Sequence, residues 1–532
     1  MRVTATLEST DTAGLTRQIG SGEADLFAGQ GSMLVVIGLE GTPSNSLNGS
    51  ISASLAGESV GFAGNLVFGP NAELQGTGQL NVDLADAGGL AQIAGGRDLS
   101  LPMAKGSADL HFEGERLARL TNVQGTSGET GFTGELSLSR TNNAAAVAGN
   151  FAIDEISIEG LSTAVFGPAA LVPGDSVWPE GPIASGDSPR QTRGSVSITA
   201  PLVSAGGVAR MTNASFELSW DESRLRLARF EAGLGGGKAT LDLSVCCAGA
   251  LLDKTVSGRL TLAGVPVNAI ASPTMAAMVG GTIEGGVRFE GTGASPASVF
   301  GAMTGEGNFT LTNLAVDQLD PRVFSAVSGL DDALNMDPDA LASVIGVTLQ
   351  QGPFTAGRAT GAFTMAGGVA RLANFIVEGQ GGRLAGNINV QLVSTGLEGG
   401  FVLTPLGLDD ANGLISADTA RIGTQLTGTV LAPVSTLDSD TLIAAIRARA
   451  NELEVERLEV LRAEDAERQR AAAEERNRLI EEQRQRAAAG SCSPGRGRSR
   501  AISGGRGAAS RTAAIAAANP APTGAASAAG SA

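Results

Sequence analysis

Tyrosine is absent from the 532 residues, tryptophan occurs only as Trp178 and Trp220, and aromatic residues make up 4% of the chain. Any apolar interior must therefore be built from Leu, Val, Ile and Ala, without the large rings that anchor a tight core. A single histidine, His111, and three cysteines, Cys246, Cys247 and Cys492, are too few to assemble a transition-metal cluster at recognised spacing. The adjacent cysteines could join only as a strained vicinal disulfide, so cysteine usage leaves the compartment open. Lysine is confined to Lys105, Lys238 and Lys254; the other bases are arginines, a bias that points to a GC-rich bacterial genome. A net charge of −17 and a pI near 4.7 argue against general nucleic-acid binding, because most of the surface would repel a phosphate backbone. No window offers the ~20 apolar residues that span a bilayer, and Met1 to Leu7 carries no signal-peptide core. The chain opens directly into a strand-like stretch, so the expectation is that Met1 is an internal or mis-assigned start with a preceding segment missing.

What the chain has in excess is glycine, 75 residues, in a background 42% hydrophobic and only 17% charged. That composition excludes wholesale disorder and suits a β-protein whose backbone turns and packs closely again and again. The length calls for two or more domains or one extended architecture.

Alternation with period 2 dominates the first 165 residues, in short runs bounded by Gly, Asn, Asp or Ser. Ile51/Ala53/Leu55, Leu80/Val82/Leu84, Ala108/Leu110/Phe112, Phe132/Leu136/Leu138 and Ile156/Ile158 each read as a strand with one apolar side. A Pro-rich stretch from Pro168 to Pro189, containing Trp178, interrupts the pattern and reads as a linker. Alternation then resumes, from Val196/Ile198 to Phe401/Leu403. Such a number of strands must curl, split or close rather than lie flat. Helices are expected near Val267 to Val279 and from Asp320-Pro321 through Leu341 and Ile345.

One motif recurs. Leu117-Ala118-Arg119-Leu120-Thr121-Asn122, Val208-Ala209-Arg210-Met211-Thr212-Asn213 and Val369-Ala370-Arg371-Leu372-Ala373-Asn374 share a pattern, with a partial copy at Leu227-Ala228-Arg229-Phe230. The uneven spacing marks a recurring strand-turn unit, not a fixed-period solenoid. Its arginines read either as headgroup contacts or as charges that keep strand edges from pairing.

From Asp438 to about Ala489 the chain reads as a helix rich in Ala, Glu and Arg, with Asp440 as cap. Leu442, Ile443, Ile446, Leu453, Leu458 and Leu461 form an apolar stripe over its first half, and Glu464 to Arg486 is nearly all charge. The Ala/Gly/Ser tail beyond Gly490, with Arg496, Arg498, Arg500, Arg506 and Arg511, reads as disordered.

Catalytic patterns are sparse. Gly57-Glu58-Ser59-Val60-Gly61 matches the G-x-S-x-G elbow, and His111 is the one base available to Ser59. The elbow needs a helix after the serine, whereas Phe62 to Phe68 reads as a strand. Gly235-Gly236-Gly237-Lys238-Ala239 lacks the first Gly and the Ser/Thr of a phosphate loop. Asp331, Asp332, Asp337 and Asp339 lack the Gly and Glu of a calcium loop and suit helix capping.

Gly281 to Gly293 forms an amphipathic strand ending in G-x-G; Val299-Phe300 follows in a short helix, and Met303 to Leu314 supplies a glycine and a second strand leading into a helix from Asp320. This succession resembles the conserved C-terminal region of AsmA-family proteins. The stretch from Arg371 to Leu403, and the closing Leu426-Thr427-Gly428-Thr429-Val430 with Pro433, resemble that family's terminal strands. The likeness covers residues 195–435, and more loosely the first 165. It implies a bacterial envelope protein, normally held by an N-terminal inner-membrane helix that this chain lacks as given, with a periplasmic sheet curled into an apolar groove that guides phospholipid.

The expected architecture is mainly β: an elongated, curled antiparallel sheet, or β-groove, with short helical insertions, a charged C-terminal α-helix and a disordered tail. It divides into an N-terminal β-repeat region (1–167), a Pro-rich linker (168–194), an AsmA-like β region (195–437), the charged helix (438–489) and the basic tail (490–532). The expected function is non-enzymatic: binding or guiding phospholipid or another acyl lipid between inner and outer membranes, in the periplasm and associated with the inner membrane. Leu241, Leu243, Phe309, Leu311, Ile388 and Val390 are the candidate groove lining; no cofactor, metal or nucleic acid is expected, and an envelope protein is a candidate partner for the C-terminal helix. The alternative is a structural or assembly factor for outer-membrane proteins, with a dry β core and a partner on Leu442, Ile446 and Leu453. An enzyme would require Ser59 and His111 within hydrogen-bond reach.

Overall fold

Period-2 alternation makes each strand amphipathic, but only the pairing register decides whether the apolar sides of neighbours coincide. In the computed structural model, which describes residues 1–11, 32–42, 45–55, 58–69, 73–85, 103–141, 144–174, 176–183, 192–206, 209–246, 254–333, 335–408, 410 and 413–490, they coincide across one mainly antiparallel sheet of 23 strands. The first nine strands are β1 (Arg2–Ser9), β2 (Met33–Thr42), β3 (Ser46–Leu55), β4 (Glu58–Phe68), β5 (Leu74–Leu84), β6 (Ala104–Glu113), β7 (Leu117–Ser127), β8 (Thr130–Thr141) and β9 (Ala144–Ile153). After the short β10 (Glu155–Ser157) come β11 (Thr192–Ala205), β12 (Ala209–Trp220), β13 (Arg224–Leu234), β14 (Gly237–Cys246), β15 (Lys254–Pro266), β16 (Val279–Gly293) and β17 (Thr304–Val316). The series closes with β18 (Phe354–Ala366), β19 (Val369–Glu378), β20 (Gly382–Gln391), β21 (Gly396–Pro405), β22 (Ile422–Gly428) and β23 (Pro433–Asp438).

Each strand pairs with the next in antiparallel fashion, except at one joint. There β9 and β10 both run parallel to β11, with Ala145 to Ala152 beside Thr192 to Thr199 and Glu155 to Ser157 beside Leu202 to Ser204. Parallel neighbours cannot be joined by a hairpin; they require a crossover of a dozen or more residues. The Pro-rich stretch belongs to that crossover. It includes α1 (Ile158–Phe166), capped by the Ser157 hydroxyl, which accepts from the Gly160 N–H at 2.9 Å, and a 3-10 turn at Pro168–Leu171. Ile158, expected in a strand, thus opens a helix, because Ser157 competes for the backbone as an N-cap. Farther along, Trp178 stacks on Phe300 with ring centroids 3.8 Å apart, and its indole N–H donates to the Leu392 carbonyl at 2.6 Å. The backbone is tied down too: Ile183 N–H donates to Ala294 and Ala297 N–H to Pro179.

The remaining α-helices among the described residues are α2 (Pro273–Met278), α3 (Pro296–Gly301), α4 (Val323–Ser328), α5 (Pro338–Leu349) and α6 (Asp440–Gly490). The single helix expected from Asp320 to Ile345 is two, because Gly329 ends α4 and Asp337 starts α5 afresh, its carboxylate accepting from the Ala340 N–H at 2.7 Å. Asp440 is the first residue of α6 rather than its cap, and its N–H donates to Asp438. None of the described helices is long and apolar enough to cross a membrane.

The chain divides into two compact units, residues 1–455 and 456–532. Within the first, the largest buried cluster joins Phe324, Leu341 and Ile345 from α4 and α5, Leu384, Leu403 and Ile422 from the sheet, and Leu442, Ile446 and Ala450 from the start of α6. The stripe expected to await a partner is therefore already used inside this chain. A second cluster sets Ala170 and Ile183 of the crossover and Val299 of α3 against Phe216, Leu227, Phe230 and Val245. In the second unit every described residue is exposed, and the pairs Glu464–Arg468 and Arg478–Glu482 sit at i,i+4 spacing. The basic arginines of the tail lie outside the described residues.

The recurring motif is a β-bulge. Asn122, Asn213, Asn374 and Arg229 all adopt φ between 51° and 53°, and the ladder slips by a residue at or beside each of them. Asparagine adopts this left-handed conformation more readily than other residues with a side chain, and at the first copy Asn122 Nδ2 also donates across the ladder to Asp109 at 2.7 Å. The motif arginines Arg119, Arg210 and Arg371 lie on strands paired on both sides, so they guard no sheet edge.

Asp320, buried between β17 and α4, is gripped by Arg322, whose Nε donates at 2.8 Å and whose backbone N–H donates at 2.9 Å. These bonds hold its carboxyl below the usual range. A lowered folded-state pKa contributes stability that is full above the unfolded value, about 3.9, and is lost as pH falls through the folded one. Asp320→Asn is therefore expected to destabilise by about 1–3 kcal/mol at neutral pH, the gap to wild type closing as denaturation is measured at progressively lower pH. Ile446→Ala should cost about 2–5 kcal/mol, whereas Leu458→Ala, on the exposed part of α6, should stay within about 0.5 kcal/mol by urea denaturation.

Candidate functional site

Following the register from strand to strand traces one row across the sheet. It begins Val3, Leu39, Gly49, Gly64, Gly78, Leu110, Leu120, Leu136, Gly149, each directly opposite the next. It continues through Val196, Leu218, Leu227, Leu243, Gly258, Phe289, Gly305, Met365, Ala370, Val390 and Leu397. Every member is aliphatic, aromatic or glycine. A second row, Leu241, Leu260, Val287, Gly307, Phe363, Leu372 and Ile388, lies two residues away on the same face. One residue over, the opposite face reads Arg2, Glu40, Asn48, Asn65, Thr77, His111, Arg119 and Ser137. The sheet thus has one continuous apolar face and one continuous polar face.

The face stays shallow because large rings lie over glycines of the adjoining strand. A Cβ on Gly76 would meet the Phe112 ring at 2.7 Å, and one on Gly134 would meet Phe151 at the same distance. Gly258 with Phe289 and Gly361 with Phe309 repeat the arrangement at 2.6 and 2.4 Å. The same direct opposition recurs at Gly125 with Phe132, Gly307 with Phe363 and Gly386 with Phe401.

All six candidate lining residues share the apolar face, and each is half-buried. Leu241 and Leu243 pack against the cluster under the crossover, and Phe309 and Leu311 against the cluster under α4, α5 and α6. Ile388 and Val390 stand opposite Leu372 and Ala370. In this half of the sheet, helices and the crossover lie over the apolar face.

The first half differs. None of the three buried clusters includes a residue of β1 to β9. Leu39, Ile51, Phe62, Leu80, Leu110, Leu120, Leu136 and Phe151 are half-buried on the shared face, with no described helix packed over them. The alternation in the sequence marks these residues as a strand face, but nothing local distinguishes a covered face from a bare one.

Two concavities, of about 850 and 1220 Å³, open on the polar side, where a twisted sheet is necessarily saddle-shaped. Ser59, Asp83, Lys105 and Thr126 line the first, with Lys105 and Asp83 paired at 2.6 Å. Arg226, Arg259, Arg288, Asp242 and Glu306 line the second. These mixed-charge linings suit water, not acyl chains.

Ser59 and His111 are not brought together. Their β5 partners are Asp83 and Thr77, six residues apart, a separation of about 20 Å along the strand. Gly57 of that motif lies outside the described residues. Gly235 and Gly236, at φ 58° and 93°, form the hairpin turn between β13 and β14. Cys246 is disulfide-bonded, and Cys247 and Cys492 lie outside the described residues. No group of three or more His, Cys, Asp or Glu side chains is placed to hold a metal ion among the described residues. Comparison with family models, curated proteins and solved structures finds no match.

If the rings need the glycine floor, Gly76→Leu must displace the Phe112 ring, which a Cβ there would meet before any backbone atom. The expected cost is about 1–3 kcal/mol in chemical denaturation, with Gly61→Ser, whose Cβ would enter open space at an ordinary strand φ, serving as a control for general glycine loss.

Proposed function

We propose that the chain is a non-enzymatic, AsmA-like protein of the bacterial cell envelope that binds phospholipid or another acyl lipid and guides it between the inner and outer membranes. The observation that carries this reading is the apolar face of β1 to β9, unbroken across nine strands and without a covering layer among the described residues. Contiguous apolar surface on that scale normally marks a binding surface. Each acyl methylene moved from water onto it gains up to about 0.8 kcal/mol when fully covered. The face offers no hydrogen-bonding side chain along its central row, so it selects for hydrocarbon and leaves a headgroup to the strand ends and solvent.

This reading shifts the weight of binding from the second half, where Leu241, Leu243, Phe309 and Leu311 pack against buried clusters, to the first. The helix-covered second half then serves as a scaffold that continues the face. An assembly factor with a dry core is the second reading, supported by the cluster under α4, α5 and α6. Its partner would have to meet Leu458 and Leu461, since Leu442 and Ile446 are buried.

Native mass spectrometry with lipid extraction, on the chain expressed in a Gram-negative periplasm, separates the two readings. Co-purified phospholipid that falls at least tenfold in the folded double variant Leu110→Asp/Leu136→Asp is the expected result. A folded wild-type protein carrying no lipid would overturn the lipid reading in favour of the assembly factor.

A further inference from the structure

At one end of β18 to β21, four stretches far apart in sequence are tied to one another. Leu319 N–H donates to the Gly352 carbonyl at 3.2 Å, Gln380 N–H to that of Thr355 at 2.9 Å, and Leu406 N–H to that of Gly381 at 3.1 Å. All four stretches line a cavity of about 660 Å³, within the range of roughly 300–1,000 Å³ usual for small-molecule pockets. Pro353, Leu406 and Leu408 supply apolar wall, and Gln380 and Arg322 bring hydrogen-bond donors. Apolar walls with few polar groups set it apart from the mixed-charge concavities of the polar face.

Arg322 is held at this cavity by a buried carboxylate. Asp320, 4% exposed, accepts from Arg322 Nε at 2.8 Å and from Nη2 on one oxygen, and from the Arg322 backbone N–H at 2.9 Å on the other. Gly352 makes room for the pair, since a Cβ on it would meet Asp320 Oδ2 at 2.8 Å and Arg322 Nη2 at 3.3 Å. A guanidinium presents its N–H donors as rigid forks. Asp320 occupies the side-on fork of Nε and Nη2. The end-on fork, Nη1 with the outer N–H of Nη2, has no protein partner among the described residues, and the side chain is 73% exposed where it lines the cavity. A fastening role for the ion pair explains the first fork and leaves the second unused.

We infer that this cavity binds a single-chain anionic amphiphile, whose oxyanion, a carboxylate or a phosphate, docks on the end-on fork of Arg322 while its hydrocarbon lies along Pro353, Leu406 and Leu408. Arginine recognises both oxyanions by two parallel N–H bonds. Because Asp320 has already fixed the guanidinium, docking costs little further rotamer entropy. The buried carboxylate lies behind the exposed guanidinium, so an arriving anion meets positive charge first, and the Gln380 amide offers a further donor. This site is separate from the bare face of β1 to β9 and stands whether or not that face carries lipid.

Isothermal titration of the full-length chain with decanoate, decyl phosphate and decanol, each kept monomeric in solution, tests the site. An anionic probe should bind at one molecule per chain, and the tighter of the two identifies the oxyanion. Decanol, with the same hydrocarbon and no charge, should bind at least about tenfold more weakly. Arg322→Lys keeps the charge and can still pair with Asp320 but lacks the second fork; it should weaken the anion about tenfold and leave decanol unchanged. Leu406→Glu, at a wall position already 41% exposed, should abolish anion binding while keeping the wild-type far-UV spectrum. The Leu110→Asp/Leu136→Asp variant, altered only on the bare face, should bind the anion as the wild type does. No bound anion, decanol binding as tightly as the anions, affinity unchanged in folded Arg322→Lys and Leu406→Glu, or anion binding lost in folded Leu110→Asp/Leu136→Asp would overturn the inference.

Discussion

Everything in this molecule depends on register. Side chains alternate with period 2, so one residue of slip at any hairpin would turn the rest of the sheet inside out. The row from Val3 to Leu397 shows that no such inversion occurs through the meander, the parallel joint at β11 or the bulges. Each motif bulge absorbs one extra residue: Thr121 and Asn122 together oppose the single Glu135, so both Leu120 and Val123 remain on the apolar face. The recurring Ala-Arg-x-x-Asn motif is how the sequence writes that correction. Asparagine at its last position supplies the left-handed residue, and the arginine three residues earlier falls on the polar face.

Glycine serves the same constraint in another dimension. Opposing a ring with a glycine lets the ring lie down across the neighbouring strand, so the face is smooth and shallow rather than knobbed. A chain with few aromatics can then keep a wide hydrocarbon surface without the thickness of a conventional core. The cost is conformational entropy, since glycine inside a strand loses more freedom on folding than any other residue. The long ladders of the central strands offset it.

The two halves of the sheet use this one face differently. Beyond β10 the crossover, α3 to α5 and the first turns of α6 fold onto it, and buried clusters result. Before β10 the described residues include no such cover. The mixed charges of the polar face, with Arg259 directly opposite Arg288 and acids on either side, keep the reverse side wet.

The sequence by itself determined a great deal here. Alternation located most of the strands, though not β2, β9 or β23, and the composition change at Asp438 placed the long helix, because both signals are local and periodic. The candidates Leu241, Leu243, Phe309, Leu311, Ile388 and Val390 were legible as one side of their strands for the same reason. Local pattern failed where a backbone cap or a distant contact decided the outcome. Ser157 turned Ile158 into a helix, Gly329 and Asp337 split one expected helix into two, and Trp178 of the Pro-rich stretch found Phe300 and Leu392 far along the chain. Only the tertiary structure decided which of the apolar sides are covered, because covering is made by segments hundreds of residues apart, and an alternating strand reads the same whether a helix lies on it or not.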